Sequence, residues 1–164
     1  MKILVTAASR HGGTDDIAAA IVRVLHLRGL EAEHVAPGEV EDLAGYDAVV
    51  LGSGVYAGRW LREATAFASR FALQLTERPV WLFSSGPLGS PSTPLEGPDV
   101  ASVLADTSAL EHRVFAGRLD KQDLGVLEKT MVRAVRAPEG DYRNWAEISQ
   151  WGAEIADMLS VARR

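Results

Sequence analysis

Short hydrophobic runs alternate along the chain with segments in which hydrophobic residues recur every three or four positions. Most of the runs are almost continuously apolar, which is typical of parallel strands that are covered on both faces. The pattern predicts five strands, the second weaker than the others, at 2–7, 31–36, 47–53, 79–85 and 113–119. Strands that alternate with helices predict a doubly wound parallel α/β sheet with helices on both faces.

Three of the intervening segments show clear helical periodicity. Gly29 is expected to close the first helix, and Asn144 with Glu147 predicts a capping box at the start of the last. We expect Trp60, at the head of the second stripe, to lie in the core. The three stripes are Ile17, Ile21, Val24 and Leu25; Trp60, Ala64, Phe67, Phe71 and Leu75; and Trp145, Ile148, Trp151, Ile155 and Leu159.

Three loops follow the carboxyl ends of predicted strands, at 9–14, 53–60 and 84–90. Open α/β sheets bind their ligands at this edge, so we expect these loops to form one site. In the first loop, Gly12 and Gly13 let backbone N–H groups converge beside a helix N-terminus, and Ser9 and Thr14 add hydroxyl donors. This arrangement predicts an anion cradle. The alternative is that Thr14 is only a helix cap and the glycines only a turn.

Charged residues flank the first loop on both sides. Asp15 and Asp16 lie in the first helical turn, where they would repel a bound phosphate if they pointed toward it. Arg10 and His11 can offset that charge, although a lone loop histidine is commonly only solvated. The lysine of a nucleoside-triphosphate loop is absent, which disfavours that class of ligand.

The second loop places Tyr56 among small residues, and we expect it at the loop apex. Its ring can offer a flat face to a planar ligand, while Gly54 and Gly58 allow the backbone to approach closely. In the third loop, backbone groups near Ser85 and Gly86 can bind the polar edge of the same ligand. The alternative for the third loop is a Pro- and Ser-rich turn without a ligand.

Composition narrows the function further. The chain has 164 residues, 47% of them hydrophobic, which favours a single domain spanning residues 1–164. Because it has no cysteine, thiolate metal sites and a cysteine nucleophile are excluded, and its four histidines lack the spacing of metal ligands. A net charge of −5 argues against nucleic-acid binding. Without a signal sequence or a membrane-spanning run, we expect a cytoplasmic protein.

The opening ILVTAASRHGGTDDIA resembles the phosphate loop of the flavodoxin superfamily. DLAGYDAVVLGSGVYAGRW and RPVWLFSSGPLG resemble the two loops of that family that contact the flavin ring. VFAGRLD and GDYRNWAEISQWGAEIA are similar to the C-terminal third of flavodoxin-domain proteins related to bacterial quinone-dependent protoporphyrinogen dehydrogenases. The resemblance implies a flavodoxin-like sheet with strand order 2-1-3-4-5.

The resemblance also implies bound FMN. Its phosphate would lie at Ser9, Arg10, His11, Gly12, Gly13 and Thr14, and its ring between Ser53, Gly54, Val55, Tyr56, Ala57 and Gly58 on one side and Ser85, Gly86, Pro87, Leu88 and Gly89 on the other. The first hypothesis is an FMN-dependent oxidoreductase or electron-transfer protein. The alternatives are quinone-dependent protoporphyrinogen oxidation and a non-enzymatic protein that stores flavin or deazaflavin. Catalytic residues, the redox partner and the oligomeric state are not predicted.

Residues 120–143 form an insertion after the fifth predicted strand. On a helical projection, Lys129, Arg133 and Arg136 line one side and hydrophobic residues line another. One interpretation is a scaffold helix with a solvated charged face. The other is a docking face for an acidic substrate or for anionic lipid, because the resemblance implies that this insertion reaches substrate and membrane-borne quinone.

Overall fold

The hydrophobic runs form one parallel sheet in a computed structural model, which describes residues 1–86, 98–119 and 140–164. The first six strands are β1 (Lys2–Ala8), β2 (Glu31–His34), β3 (Ala48–Tyr56), β4 (Arg59–Trp60), β5 (Val80–Ser85) and β6 (Glu111–Phe115). The five parallel strands lie in the order β2-β1-β3-β5-β6, and the short β4 pairs antiparallel with β3. The predicted flavodoxin-like order is therefore confirmed, since β4 is additional to the five predicted strands.

Helices cover both faces of the sheet. They are α1 (Gly13–Leu27), α2 (Arg62–Arg70), α3 (Ala72–Thr76), α4 (Pro98–Thr107) and α5 (Trp145–Ala162), with a 3-10 helix at Pro37–Glu39. Ile3 and Val5 of β1 pack in the cluster that contains α1 and α5, whereas Leu4 packs in the cluster that contains α2, α3 and α4. Alternate strand residues thus face two separate cores, which explains why the strands are apolar throughout.

The predicted helix ends are present. Gly29 adopts a left-handed conformation, and the N–H of Leu30 donates to the carbonyl of Leu25 at 3.0 Å, which closes α1. At the start of α5, the side chain of Asn144 accepts a hydrogen bond from the N–H of Glu147 at 3.1 Å. Both termini are therefore stabilised by local sequence signals.

Two predicted element boundaries are wrong. The stripe beginning at Trp60 is not one helix, because Trp60 lies in β4 and the helical region divides at Phe71 into α2 and α3. The predicted strand 113–119 also divides, into β6 and the short strand β7 (Arg118–Leu119), which pairs antiparallel with β8 (Gly140–Asp141). The last pairing of β6 within the sheet joins Phe115 to Ser85, where β5 ends, so the chain leaves the sheet at that point.

Most of the predicted insertion, residues 120–139, lies outside the described residues, and with it the basic stripe at Lys129, Arg133 and Arg136. In the part of the chain that the structure describes, no helix is long and apolar enough to cross a bilayer.

Candidate functional site

The first two predicted loops and the start of the third meet at the carboxyl edge of the sheet. A methyl group built on Gly54 would lie 3.1 Å from the hydroxyl oxygen of Thr14, so the second loop touches the first. A methyl group on Gly86 would lie 4.0 Å from the carbonyl oxygen of Val55, so the third loop starts beside the second. The described parts of the three loops therefore lie side by side at the end of the sheet where ligands bind in this class of fold.

The first loop turns sharply into α1. Gly12 occupies the N-cap position with a φ of 82°, a left-handed conformation that favours glycine. The first intrahelical hydrogen bond at this end runs from the N–H of Asp16 to the carbonyl of Gly12 at 3.1 Å. The N–H groups of Gly13, Thr14 and Asp15 therefore precede the helical ladder and remain available to an acceptor. Thr14 is the second residue of the helix and Gly12 is its N-cap, so the alternative that Thr14 is simply the N-cap is wrong.

Ser9 provides an unusual polar atom beside this helix end. Its hydroxyl oxygen is shielded from solvent and has no hydrogen-bond partner among the residues that the structure describes. A buried hydroxyl without a partner costs free energy, and sites that bind a ligand are one place where such a group is found. The hydroxyl and the first-turn N–H groups together offer donors suited to an anion.

Each aspartate of the first turn lies beside a basic side chain. Oδ1 of Asp15 lies 3.4 Å from Nε2 of His34, and Oδ2 of Asp16 lies 3.0 Å from Nη1 of Arg143. Burial is the largest influence on Asp15 and raises the pKa of its carboxyl, while His34 acts in the opposite direction. Both carboxylates thus have cationic or potentially cationic neighbours, which reduces their repulsion of a bound anion.

Tyr56 is the last residue of β3 rather than the apex of a loop, so that prediction is wrong. The apex is the tight turn at Ala57 and Gly58, both of which have positive φ, and the turn leads directly into β4. The guanidinium of Arg10 lies 4.5 Å from the centre of the Tyr56 ring, and His11 meets the same ring edge-on at 6.2 Å. The first loop therefore packs against the predicted aromatic platform.

Buried hydrogen bonds hold the β3–β4 hairpin from behind. The Ser53 hydroxyl accepts from the N–H of Leu61 at 2.9 Å and donates to the carbonyl of Gly54 at 2.8 Å. The indole N–H of Trp60 donates to the Ser84 hydroxyl at 2.7 Å, and that hydroxyl lies 2.7 Å from Nε2 of His112. Trp60 is buried in the core as expected, although it reaches that position from a strand.

Burial lowers the pKa of His112 below its ordinary value, which favours a neutral imidazole beside Ser84. A neutral imidazole can accept a hydrogen bond from the Ser84 hydroxyl at Nε2, while the same hydroxyl accepts a hydrogen bond from the indole N–H. The chain of Trp60, Ser84 and His112 therefore joins β4, β5 and β6 beneath the hairpin.

The third loop is described only at its start. Ser85 is buried, and Gly86 has a φ of 89° and donates its N–H to the carbonyl of Phe115 at 2.8 Å. A methyl group on Gly117 would lie 3.2 Å from the nitrogen of Gly86 and 3.5 Å from the hydroxyl oxygen of Ser85. The predicted site residues Pro87, Leu88 and Gly89 lie outside the described residues.

Comparison with known proteins identifies the family. The family model described as "Flavodoxin domain" matches residues 4–145, which is most of the chain. The chain therefore belongs to the flavodoxin-domain family. No curated relative matches this flavodoxin-domain chain in sequence.

Solved structures agree on the fold. Oxidised flavodoxin 1 from Bacillus cereus is 18% identical and superimposes with a TM-score of 0.64, over 96% of this chain and 98% of that one. Oxidised flavodoxin 2 from the same organism is 20% identical, with a TM-score of 0.63 over 96% and 99%. The rubredoxin oxygen:oxidoreductase of Desulfovibrio gigas is 12% identical, with a TM-score of 0.62 over 98% of this chain but 36% of that one.

Sequence reasoning missed three residues at the site of this flavodoxin-domain protein. Gly117 packs against the start of the third loop, and a glycine inside the predicted strand 113–119 was a signal of such a close approach. Arg118 donates to the carbonyl of His11 at 2.8 Å, and Arg143 donates to the carbonyl of Gly13 at 3.3 Å. Both arginines lie in segments that carry the family resemblance, VFAGRLD and GDYRNWAEISQWGAEIA, but nothing in their local spacing points to the first loop, and Arg143 lies 130 positions from its partner along the chain.

The electrostatics of Arg143 are set by Asp141. Nε of Arg143 lies 2.8 Å from one carboxylate oxygen of Asp141 and Nη2 lies 2.6 Å from the other. These hydrogen bonds raise the pKa of the guanidinium and lower the pKa of the Asp141 carboxyl. The arrangement offers hydrogen-bond donors suited to an anion beside an aromatic surface. Among the described residues, no group of histidine and carboxylate side chains could hold a metal ion.

Proposed function

We propose that this flavodoxin-domain protein binds FMN at the carboxyl edge of its sheet and serves as an electron-transfer protein or oxidoreductase. The observation that carries the proposal is the buried Ser9 hydroxyl, which has no partner among the described residues and lies three positions before Gly12, the left-handed residue at the start of α1. A phosphate monoester would satisfy that hydroxyl together with the first-turn N–H groups.

The residues present fit both the phosphate and the ring of FMN. Ser9, Gly12, Gly13 and Thr14 would hold the phosphate, with Arg10 and His11 in the same loop. The ring would lie at residues 53–58 and 85–89, of which residues 87–89 are assigned from the sequence alone. Because Arg10 covers the Tyr56 ring at 4.5 Å, a stacked flavin would use the opposite face of Tyr56 or displace Arg10.

The protein would bind, orient and shield the cofactor, while bound FMN supplies the transfer of electrons. Because Gly54 has no side chain, the Tyr56 ring and the Thr14 hydroxyl can both lie close to its backbone. A methyl group there would lie 2.9 Å from Cε2 of Tyr56. The buried hydrogen bonds of Ser53 and Ser84 would keep the hairpin that carries Tyr56 in position.

Reconstitution tests the proposal directly. Apo protein mixed with equimolar FMN should retain a visible flavin spectrum through gel filtration, and bound FMN should be quenched in fluorescence relative to free FMN. Gly38→Ala serves as a matched variant, because a methyl group on Gly38 has no heavy atom within 4 Å. A colourless protein after reconstitution would remove the proposal.

Quinone-dependent protoporphyrinogen oxidation is the second candidate. It is supported by the likeness of VFAGRLD and GDYRNWAEISQWGAEIA to that branch. An anaerobic assay with protoporphyrinogen and a menaquinone analogue separates it from simple electron transfer, because a carrier would not turn over the porphyrinogen. Storage of flavin or deazaflavin is favoured instead if stopped-flow experiments show that the bound cofactor is reduced and reoxidised no faster than the free cofactor.

We further propose a cytoplasmic protein that contacts the inner face of the membrane through the basic stripe of the insertion. The support is the sequence pattern of Lys129, Arg133 and Arg136, each worth about 1 kcal/mol near an anionic surface. Sedimentation with anionic and neutral vesicles at low and high salt tests this, with a charge-reversed triple variant as the control. If neither the wild-type protein nor the variant binds vesicles, the insertion does not contact the membrane and serves only as scaffold.

A further inference from the structure

Two arginines from the segment after β6 bind the backbone of the first loop. Nη2 of Arg118 donates to the carbonyl oxygen of His11 at 2.8 Å, and Nη1 of Arg143 donates to the carbonyl oxygen of Gly13 at 3.3 Å. These two carbonyls flank Gly12, the left-handed residue at the start of α1. The turn that presents the N–H groups is therefore held on both sides by cations from a distant part of the chain.

Arg143 is itself fixed in place. Its side chain is 6% exposed, it forms a two-point ion pair with Asp141, and its guanidinium lies 4.6 Å from the centre of the Trp145 ring. The same Nη1 that reaches Gly13 also lies 3.0 Å from Oδ2 of Asp16. Arg143 thus joins the loop backbone to an acidic residue of the first turn of α1.

Without these arginines, the first loop would present negative charge to an anion. The carboxylate of Asp16 and the carbonyl oxygens of His11 and Gly13 would repel a phosphate dianion. With them, each of these oxygens accepts a hydrogen bond from a guanidinium, which offsets the repulsion and fixes the peptide planes. The effect concerns the phosphate and not the flavin ring.

We propose that Arg118 and Arg143 are positioning residues that make this loop selective for a phosphate monoester, and so for FMN over riboflavin. The inference rests on the proposed function. It deepens that function by assigning phosphate selectivity to residues outside the loop, in the β7–β8 pair and directly after it.

Affinities of the variants for FMN and riboflavin test this assignment. For Arg143→Gln, we expect the Kd for FMN to rise about 10- to 100-fold and the Kd for riboflavin to change less than about threefold. Arg118→Gln, with a more exposed side chain, should raise the Kd for FMN about threefold to tenfold. Arg28→Gln is the matched control, because it removes an arginine–aspartate pair at the other end of α1.

A double-mutant cycle separates charge compensation from simple structural support. If Arg143 acts by neutralising Asp16, then Asp16→Asn should restore about half of the lost affinity for FMN, on a logarithmic scale, in the Arg143→Gln background. Arg143→Lys keeps the charge but not the fork of donors, so its Kd for FMN should lie between those of the wild type and Arg143→Gln. Urea unfolding of each apo variant reports stability separately.

Equal losses of FMN and riboflavin affinity in both arginine variants, or no recovery with Asp16→Asn, would overturn the inference. If wild-type protein binds neither flavin, the proposed function fails, and inorganic phosphate then decides the inference alone. Phosphate should raise the thermal unfolding temperature of the wild-type apo protein more than that of Arg143→Gln. No difference between the two would contradict the selectivity of the loop for phosphate.

Discussion

Replacement of Gly54 by alanine should damage the cofactor site while leaving the fold intact. The added methyl group would lie 2.9 Å from Cε2 of Tyr56 and 3.1 Å from the Thr14 hydroxyl oxygen. Carbon atoms pack at about 3.5–4.0 Å, so the edge of the tyrosine ring must move by roughly 0.6–1.1 Å. Gly54 does not require a left-handed backbone, so alanine can adopt its conformation. The strain therefore falls on the predicted flavin platform.

The expected loss of flavin affinity follows from what the tyrosine ring contributes to binding. An aromatic stacking contact is worth about 0.5–1.5 kcal/mol, so losing it should raise the Kd for both FMN and riboflavin about 2- to 12-fold. The clash involves the edge of a partly exposed, rotatable side chain, so the free energy of unfolding should fall by less than about 1 kcal/mol. The visible spectrum of bound flavin should also change, because the ring beside it has moved.

Fluorescence titrations with FMN and riboflavin, together with urea unfolding of the apo protein, measure both quantities. Gly38→Ala should behave as wild type, since a methyl group there meets no heavy atom within 4 Å. Tyr56→Ala should weaken both ligands to a similar extent, and Gly54→Ala should add little in that background. If Gly54→Ala binds both flavins as tightly as Gly38→Ala with an unaltered spectrum, Tyr56 is not part of the ring site.

Three further predictions concern the cradle and the hairpin support. Thr14→Val should weaken FMN by about 1.5–3 kcal/mol and leave riboflavin nearly unchanged, as measured by titration; equal losses would locate the phosphate elsewhere. Ser84→Ala should lower the free energy of unfolding in urea by about 1–3 kcal/mol, because it leaves the Trp60 N–H without its acceptor; the exposed Ser69→Ala is the control. The pKa of His112 is lower in the folded state than its ordinary value of 6.5, so the unfolded state binds more protons and stability should fall as the pH drops from 7 to 5. His112→Gln should flatten that part of the pH profile, and an unchanged profile would assign the dependence to other groups.

The sheet could be predicted because its determinants are local and repeated. Residues such as Ile3, Leu4 and Val5 face alternate cores, so a strand covered on both sides must be apolar at every position. The C-terminal end of α1 and the N-terminal end of α5 could also be predicted, because Gly29 and Asn144 act on neighbouring backbone groups. Both signals operate over a few residues, which is the range that sequence patterns describe.

The details of the site depend on contacts that the sequence pattern does not encode. Trp60 matches a helical stripe by spacing, but its hydrogen bond to Ser84 and its pairing with Val55 hold it in β4. Tyr56 was expected in a loop because glycines surround it, whereas pairing with Arg59 keeps it in β3. Arg143 reaches the first loop only through the fold, and no local signal indicates that contact.

The identity of the ligand in natively purified protein tests the central claim most directly. Protein isolated without added cofactor, then denatured and analysed by mass spectrometry and absorbance, reports both the ligand and its stoichiometry. We expect FMN at up to one molecule per chain, and added FMN should occupy any sites that are empty after purification. A deazaflavin as the bound ligand, or a protein that holds no flavin before or after reconstitution, would contradict it.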